Sequence, residues 1–294
     1  MNETAPRHQI HLADNLAVLR TLPDASIDLV YVDPPFNTGK RQTRTRLETR
    51  RSEQGDRTGF QGHRYQTVRG ATHSFDDRFD DYLAFLEPRL VETHRVLATH
   101  GSLYVHLDYR EAHGVKLLLD ALFGREQFLN EIIWAYDYGG RPRDRWPSKH
   151  DTILVYAREA GRHVFDLEAV DRIPYMAPGL VTPEKAARGK LPTDVWWHTI
   201  VPTNGRERTG YPTQKPLGIL RRIVSASSQP NALVLDYFAG SGTTGIACVE
   251  LGRRCLLVDE SPEALRVMAR RFQGVPDVAW LGYEPDAAHI SPGI

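Results

Sequence analysis

Leu233-Val234-Leu235-Asp236-Tyr237-Phe238-Ala239-Gly240-Ser241-Gly242-Thr243-Thr244-Gly245 carries a short apolar run straight into a glycine loop. Gly240, Gly242 and Gly245 satisfy the G-x-G-x-x-G spacing between a predicted strand and a predicted helix, and Asp259 lies about twenty residues on at the next strand end. Such a loop suits a nucleotide-like cofactor, and taken alone it suggests an NAD-dependent oxidoreductase. Its place in the chain argues otherwise. The glycine strand of that fold is the first of its sheet, whereas only a helix and a short tail follow Asp259, so the N-terminal half must complete the sheet. A phosphate-gripping P-loop is excluded by the missing Lys after Gly245, and Gly39-Lys40 is followed by Arg41 with Pro34 at the required upstream glycine position. Glycines that only make a tight turn would look the same. However, carboxylates at neighbouring strand ends, Asp236 and Asp259, can pair with a cofactor's amino group and its ribose hydroxyls.

A second apolar run, residues 28–32, closes with Asp33-Pro34-Pro35-Phe36. An aryl amine is a poor nucleophile because its lone pair is shared with the ring. If the Asp33 carboxylate and a main-chain carbonyl both accept from the amine, the nitrogen can pyramidalise as positive charge develops on it. Pro34 and Pro35 fix their own φ angles and restrict the residues before them, which holds the acceptors in one geometry. Phe36 offers a stacking face. An ordinary proline-rich turn fits Asp33-Pro34-Pro35-Phe36 equally well, as Asn37-Thr38-Gly39 does, and it is the company of the glycine loop that makes the pair nominate an amino-group methyltransferase.

Apolar runs at 28–32, 102–107, 153–156, 233–235 and 255–258 predict strands, and helical spacing predicts helices over 82–97, 217–225, 243–251 and 262–272. Their alternation implies an α/β fold with a doubly wound, mostly parallel sheet. With 294 residues and 41% hydrophobic content, the chain can bury the core of one large domain or of a domain with a lobe. Two segments break the rhythm. Residues 40–74 are rich in Arg, Thr, Gln and Gly with few aliphatics, which predicts a mobile basic insert. Residues 158–205 hold Pro174, Pro178, Pro183, Pro192 and Pro202, which predicts a small irregular lobe.

No apolar stretch reaches the roughly 20 residues of a bilayer span, and the opening residues lack a secretory signal, so a cytoplasmic protein is expected. Cys248 and Cys255 have neither C-x-x-C spacing nor a histidine pair beside them, and are expected to be core thiols with no metal. A net charge of +0 is unusual for a nucleic-acid protein. Cations nevertheless crowd two places: Lys40, Arg41, Arg44, Arg46, Arg50 and Arg51 in one, and Arg141, Arg143, Arg145 and Lys149 in the other. Solvated charged loops would account for either cluster taken alone.

With Tyr211-Pro212-Thr213-Gln214-Lys215-Pro216 ahead of the glycine strand, these residues resemble the permuted β-class DNA amino-methyltransferases. The resemblance covers about residues 8–273, including the stretches 101–108, 130–134 and 150–154. It implies a Rossmann-like methyltransferase sheet with circularly permuted motif order, one methyltransferase domain over 1–294, and target recognition within 158–205. It further implies S-adenosylmethionine as methyl donor and adenine N6 in double-stranded DNA as acceptor. Carried over by position, Asp33, Pro34 and Phe36 would hold and stack the flipped base while Pro35 shapes the turn. Asp236, Phe238, Gly240, Ser241, Gly242 and Thr243 would frame the cofactor, Thr213, Gln214 and Lys215 would contribute beside them, and Asp259 would take the ribose hydroxyls. Departures from the pattern are Asp259 where many relatives carry Glu, Phe36 in place of the commoner tyrosine, and a short recognition region. Cytosine N4 is the alternative acceptor, and an inactive DNA-binding module is the non-enzyme alternative. A homodimer and an accompanying restriction nuclease are family expectations.

Overall fold

The computed structural model describes residues 6–37, 40–51, 57–58, 64–77, 81–202 and 204–286, with backbone alone over 40–77. β1 (His8–Leu12) leads through α1 (Asn15–Thr21) to β2 (Ile27–Val32). The next segment holds β3 (Lys40–Arg51), β4 (Arg57–Thr58) and β5 (Arg64–Asp77). Then come α2 (Tyr82–Val96), β6 (Leu97–Leu107), α3 (Ala112–Phe123), β7 (Phe128–Ala135) and β8 (His150–Ala157). After α4 (Pro183–Arg188) and β9 (Val195–Trp197), the chain runs α5 (Leu217–Ser227), β10 (Leu233–Asp236), α6 (Thr243–Glu250), β11 (Arg254–Asp259), α7 (Pro262–Arg271) and β12 (Val278–Leu281).

Nine strands form the main sheet in the order β12-β1-β11-β10-β2-β6-β8-β7-β9. From β12 to β6 every neighbouring pair is parallel, β8 runs antiparallel to both β6 and β7, and β9 is parallel to β7. The glycine strand β10 therefore sits between β11 and the N-terminal β2, and β1 lies on the far side of β11. N-terminal strands complete the sheet, as the position of the glycine loop required. Central strands read as continuous apolar runs because helices cover both faces. Leu29 and Tyr31 of β2, Val234 of β10 and Leu257 of β11 share one buried face with Ile219, Leu220 and Ile223 of α5, Ala247 of α6 and Leu265 of α7. At β10 and β2 the connections diverge, β10 turning through α6 to β11 while β2 leads on to β6. That reversal creates a crevice at the carboxyl ends of the two strands.

Residues 35–82 form a separate compact unit. Its backbone makes a three-stranded antiparallel sheet, β3-β5-β4, with the β3–β5 ladder running from Lys40 opposite Asp77 to Arg51 opposite Tyr65. Scarce aliphatics leave these strands without an apolar signal in the sequence. Thr43, Thr45, Thr49, Thr67 and Thr72 are β-branched and favour the extended backbone without needing an apolar face. The side chains of the basic cluster at 40–51 lie outside the described residues.

Between β8 and β9, regular structure consists of a short turn at Pro178–Leu180, α4, and a bridge between Ile173 and Lys190. This agrees with an irregular stretch. The chain then rejoins the main sheet, where β9 sets Trp196 opposite Trp134 of β7. Trp196 is buried there and the neighbouring Trp197 is exposed. Cys248 and Cys255 are buried free thiols in the same core. Among the described residues no helix is long and apolar enough to cross a membrane.

Candidate active site

Asp33 follows β2 directly, at the crevice between β2 and β10. The ladder pairs Leu235 with Val30, which brings Asp236 level with Tyr31 and leaves Asp33 two residues farther out along the same edge. Strand alternation turns Asp33 to the side of Leu29 and Tyr31, the face that α5 covers. Lys215, just ahead of α5, reaches it there, and its ammonium donates to Asp33 Oδ2. Lys215 is buried and Asp33 nearly so, which makes each charge's desolvation costly and each the other's compensation. The other carboxylate oxygen, Oδ1 of Asp33, is buried with no hydrogen-bond partner among the described residues. An unsatisfied buried acceptor is expensive, and one beside an open strand edge suits a donor brought by a ligand. The boundary between the two compact units falls inside this motif, with Pro34 on the side of Asp33 and with Pro35 and the half-buried Phe36 in the 35–82 unit.

The glycine loop is shaped by close approach. Gly242 has φ +73°, and a Cβ there would lie 2.6 Å from Met268 Cγ, while a Cβ on Gly245 would lie 2.6 Å from Leu257 Cδ1. Only glycine lets the loop turn and lets α6 settle on the sheet. At Gly240, φ +51°, an added Cβ would meet the Tyr211 ring at 3.2 Å, so bare backbone faces that ring. Asp259 anchors the loop from the next strand, its Oδ2 accepting from Gly240 N at 2.8 Å and its Oδ1 from Ser261 N at 2.9 Å. Each oxygen keeps a further lone pair. Burial raises the Asp259 carboxyl above its ordinary range against the pull of those two backbone bonds.

Asp236 serves the loop from inside. It is 2% exposed, and it accepts from Thr244 Oγ1 at 2.5 Å and from Phe238 N at 3.1 Å. Ser241 and Thr243 are buried as well, held by Arg271 Nη1, which donates to Ser241 O at 2.9 Å and Thr243 Oγ1 at 2.8 Å. Gln214 staples the preceding segment, accepting from Thr209 N at 2.9 Å and donating to Glu207 O at 2.7 Å. Thr213 is exposed with φ +58°. Asp33, Lys215, Asp236, Asp259 and the glycine loop thus gather at one strand edge, with the side chains of Asp236, Ser241 and Thr243 bracing the loop, Gln214 bracing the segment ahead of α5, and Asp33 and Lys215 joined to each other.

Burial pushes the Asp236 carboxyl up to about 7 despite its two hydrogen bonds, and Asp33 and Asp259 add to the rise. A carboxyl raised above its unfolded value, about 3.9, favours the protonated folded state. Its stabilising contribution is complete below about pH 4 and is lost as pH climbs to about 7. Asp236→Asn should escape that loss, so its urea midpoint should rise relative to wild type from about pH 4 to about pH 7 and run parallel above. A difference that stays constant across this window would mean that Asp236 titrates normally.

Several residues at this edge have no role assigned by the sequence alone. His106, fully buried in β6, shares a hydrogen bond with Tyr31 through Nδ1 at 2.8 Å and with Asp151 Oδ2 through Nε2 at 3.1 Å. Tyr136 donates to Asp151 Oδ1 at 2.9 Å. This row of polar groups crosses four neighbouring strands or their ends, and it approaches the Asp33–Lys215 pair. Burial raises the Asp151 carboxyl, but hydrogen bonding and charge from His106, with Lys215 and Tyr136 assisting, hold it below the ordinary range. Asn15 and Arg89 brace the other side, Arg89 Nε donating to Asn15 Oδ1 at 2.7 Å and Asn15 Nδ2 to Tyr237 O at 2.9 Å. Tyr211 is raised well above the usual phenol range by burial and by the nearby Asp259, Glu263 and Asp33 carboxylates.

One strand edge thus holds a strand-end Asp with an unfilled acceptor, a cation on its other oxygen and, one strand away, a glycine loop of bare backbone. The chain is also similar to known DNA methyltransferases. The chain is 30% identical over 260 residues to the type II methyltransferase M.HpaI of Haemophilus parainfluenzae, covering 87% of this chain and 71% of the relative. It is 29% identical over 268 residues to the DNA adenine methyltransferase YhdJ of Escherichia coli K12, covering 88% of this chain and 80% of that one. In structure it is similar to the PvuII cytosine-N4-specific DNA methyltransferase, with TM-score 0.62 at 16% identity over 93% of this chain and 91% of the other. A putative DNA modification methylase from Thermus thermophilus, complexed with S-adenosyl-L-methionine, gives TM-score 0.57 at 23% identity over 93% of this chain and 99% of that one. The model of the N6/N4 methyltransferase family, described as DNA methylase, matches residues 27–270, a span that holds Asp33, Lys215 and the whole glycine loop, and the chain belongs to that family.

Proposed function

We propose that this protein is a site-specific DNA methyltransferase that moves a methyl group from S-adenosylmethionine to the exocyclic N6 of an adenine flipped out of duplex DNA. The observation that carries the reading is the divided carboxylate of Asp33, with Oδ2 on the Lys215 ammonium and Oδ1 buried without a partner among the described residues. An amine N–H donating to Oδ1 would satisfy that oxygen, and the carboxylate would stabilise positive charge as it grows on nitrogen. Pro34 and Pro35 hold the turn, and Phe36 supplies the stacking face.

The glycine loop fits the donor. Positive φ at Gly240 and Gly242 exposes backbone where a Cβ would obstruct, and Asp259 retains lone pairs for ribose hydroxyls. When bound, S-adenosylmethionine supplies an electrophilic methyl group. The cofactor-holding residues on this reading are Phe238, Gly240, Ser241, Gly242, Thr243 and Asp259, shaped by Asp236 and flanked by Thr213, Gln214 and Lys215. A stacked base cannot reach a strand-edge crevice, so extrusion from the helix is required. Residues 158–205 serve as the target-recognition region and residues 40–74 as an additional DNA-binding arm. The enzyme works in the cytoplasm, and a second copy of the chain and a companion restriction nuclease are partners that the same reading expects.

Similarity to the Escherichia coli adenine enzyme supports adenine over cytosine. Incubation with mixed-sequence duplex DNA and isotopically labelled donor, followed by nucleoside mass spectrometry, should place the label in N6-methyladenine. Label found solely in N4-methylcytosine would reverse the base assignment and leave the amine site standing. Absence of label from every nucleoside would defeat the proposal.

A further inference from the structure

The second basic cluster lies in residues 136–149, which join β7 to β8. Leu107 pairs with Thr152 and Ala135 with His150, so both roots of this loop stand at the edge where β2 delivers Asp33. β8 is two places from β2 in the sheet, roughly 10 Å at the usual ~4.8 Å strand spacing. The loop is closed at its neck. Tyr136 N donates to Lys149 O at 2.9 Å, and Lys149 Nζ to Gly139 O at 2.8 Å.

Beyond that neck the side chains stand in water. Trp146 is 93% exposed and Tyr138 62%, and Arg141, Arg143 and Arg145 are exposed around them. Four cations in the loop face two carboxylates, Asp137 and Asp144. Arg145 pairs with Asp144 at 3.0 Å, but both are about two-thirds exposed, and such pairs exchange readily. An indole gains more by burial than almost any other side chain, so one held fully in water on a braced loop marks a contact surface. Guanidinium groups match phosphate oxygens and the flat indole matches a base stack, which together fit duplex DNA.

We propose that this loop grips the duplex beside the flipped nucleotide, with Arg141, Arg143 and Arg145 on phosphates and Trp146 inserted into the gap that the departing base leaves. Inserted apolar wedges hold a distorted duplex open elsewhere in DNA recognition. Extrusion and insertion are coupled. The wedge occupies the place to which the extruded base would return, so it assists most where a pairing partner draws that base back. This role rests on the proposed function.

The test uses the whole chain and its target site, located first by methylome sequencing, in two forms: a fully paired duplex, and a duplex in which the target lies opposite an abasic site and has no pairing partner to give up. Trp146→Ala should lower kcat/KM at least about tenfold on the paired duplex and less than about twofold on the abasic one, with Trp146→Phe recovering most of the loss. The triple change Arg141→Gln, Arg143→Gln and Arg145→Gln should flatten the log–log salt dependence of DNA binding by about 0.9 for each phosphate contact removed. Equal effects of Trp146→Ala on both duplexes, or none on either, would overturn the wedge while wild-type methylation upheld the function. A wild-type enzyme inactive on both would instead overturn the function itself.

Discussion

Asp33→Asn should reduce methyl transfer by about a hundred- to a thousandfold in kcat, the scale found when one preorganised electrostatic group is removed from a site of developing charge. The amide keeps the shape of the carboxylate but not its charge, so the amine loses its stabilising acceptor as the nitrogen becomes positive. Cofactor affinity, measured by calorimetry, should stay within about twofold, because the glycine loop hangs from Asp236 and Asp259 rather than from Asp33. Single-turnover methylation of duplex DNA gives the kcat side. Turnover near the wild-type level would remove Asp33 from the chemistry.

The second large effect concerns stability. Lys215→Met should destabilise the fold by about 3–5 kcal/mol, because removing one member of a buried ion pair strands the other charge. Asp33 and Lys215 side chains are only 15% and 9% exposed, so solvent screens little of that loss. The double variant Asp33→Asn with Lys215→Met should recover much of the stability without activity, since no buried charge is then left over. Urea unfolding of the two single variants and the double variant measures the coupling. Additive losses would mean that the pair is not coupled, and would return Lys215 to a role confined to the cofactor.

Strands β2, β10 and β11 and helices α5, α6 and α7 were legible because each is an apolar run or stripe bounded by Asp, Gly or Pro, and their observed ends lie within about two residues of the predicted ones. β1 was not. His8-Gln9-Ile10-His11-Leu12 shows no apolar run, yet His8 and Ile10 are buried against β11 and β12. β9 and β12, with three and four residues, are too short to show a period. Within the site, Asp33 and the glycine loop announced themselves by local spacing. Lys215 was assigned to the cofactor because its neighbours belong to that motif, and nothing local tells that its ammonium meets a carboxylate 182 positions earlier. His106 and Asp151 were likewise hidden, since each looks like a polar interruption of a strand until the sheet sets the two strands side by side.

The strand order also bears on how the molecule is made. β1 has two partners in the sheet, β11 and β12, and both lie at the opposite end of the chain. A ribosome delivers His8–Leu12 long before either exists, and β2 likewise waits for β10 on one flank. The nascent N-terminal half is thus obliged to emerge with open edges and no native pairing for its first strand. Closing loops this long is slow, and β1 finds its native pairing only after β11 and β12 leave the exit tunnel. Until then the newborn polypeptide is a natural client for chaperones, and a message cut short before β10 leaves β1 without either of its sheet partners and β2 without one of its two.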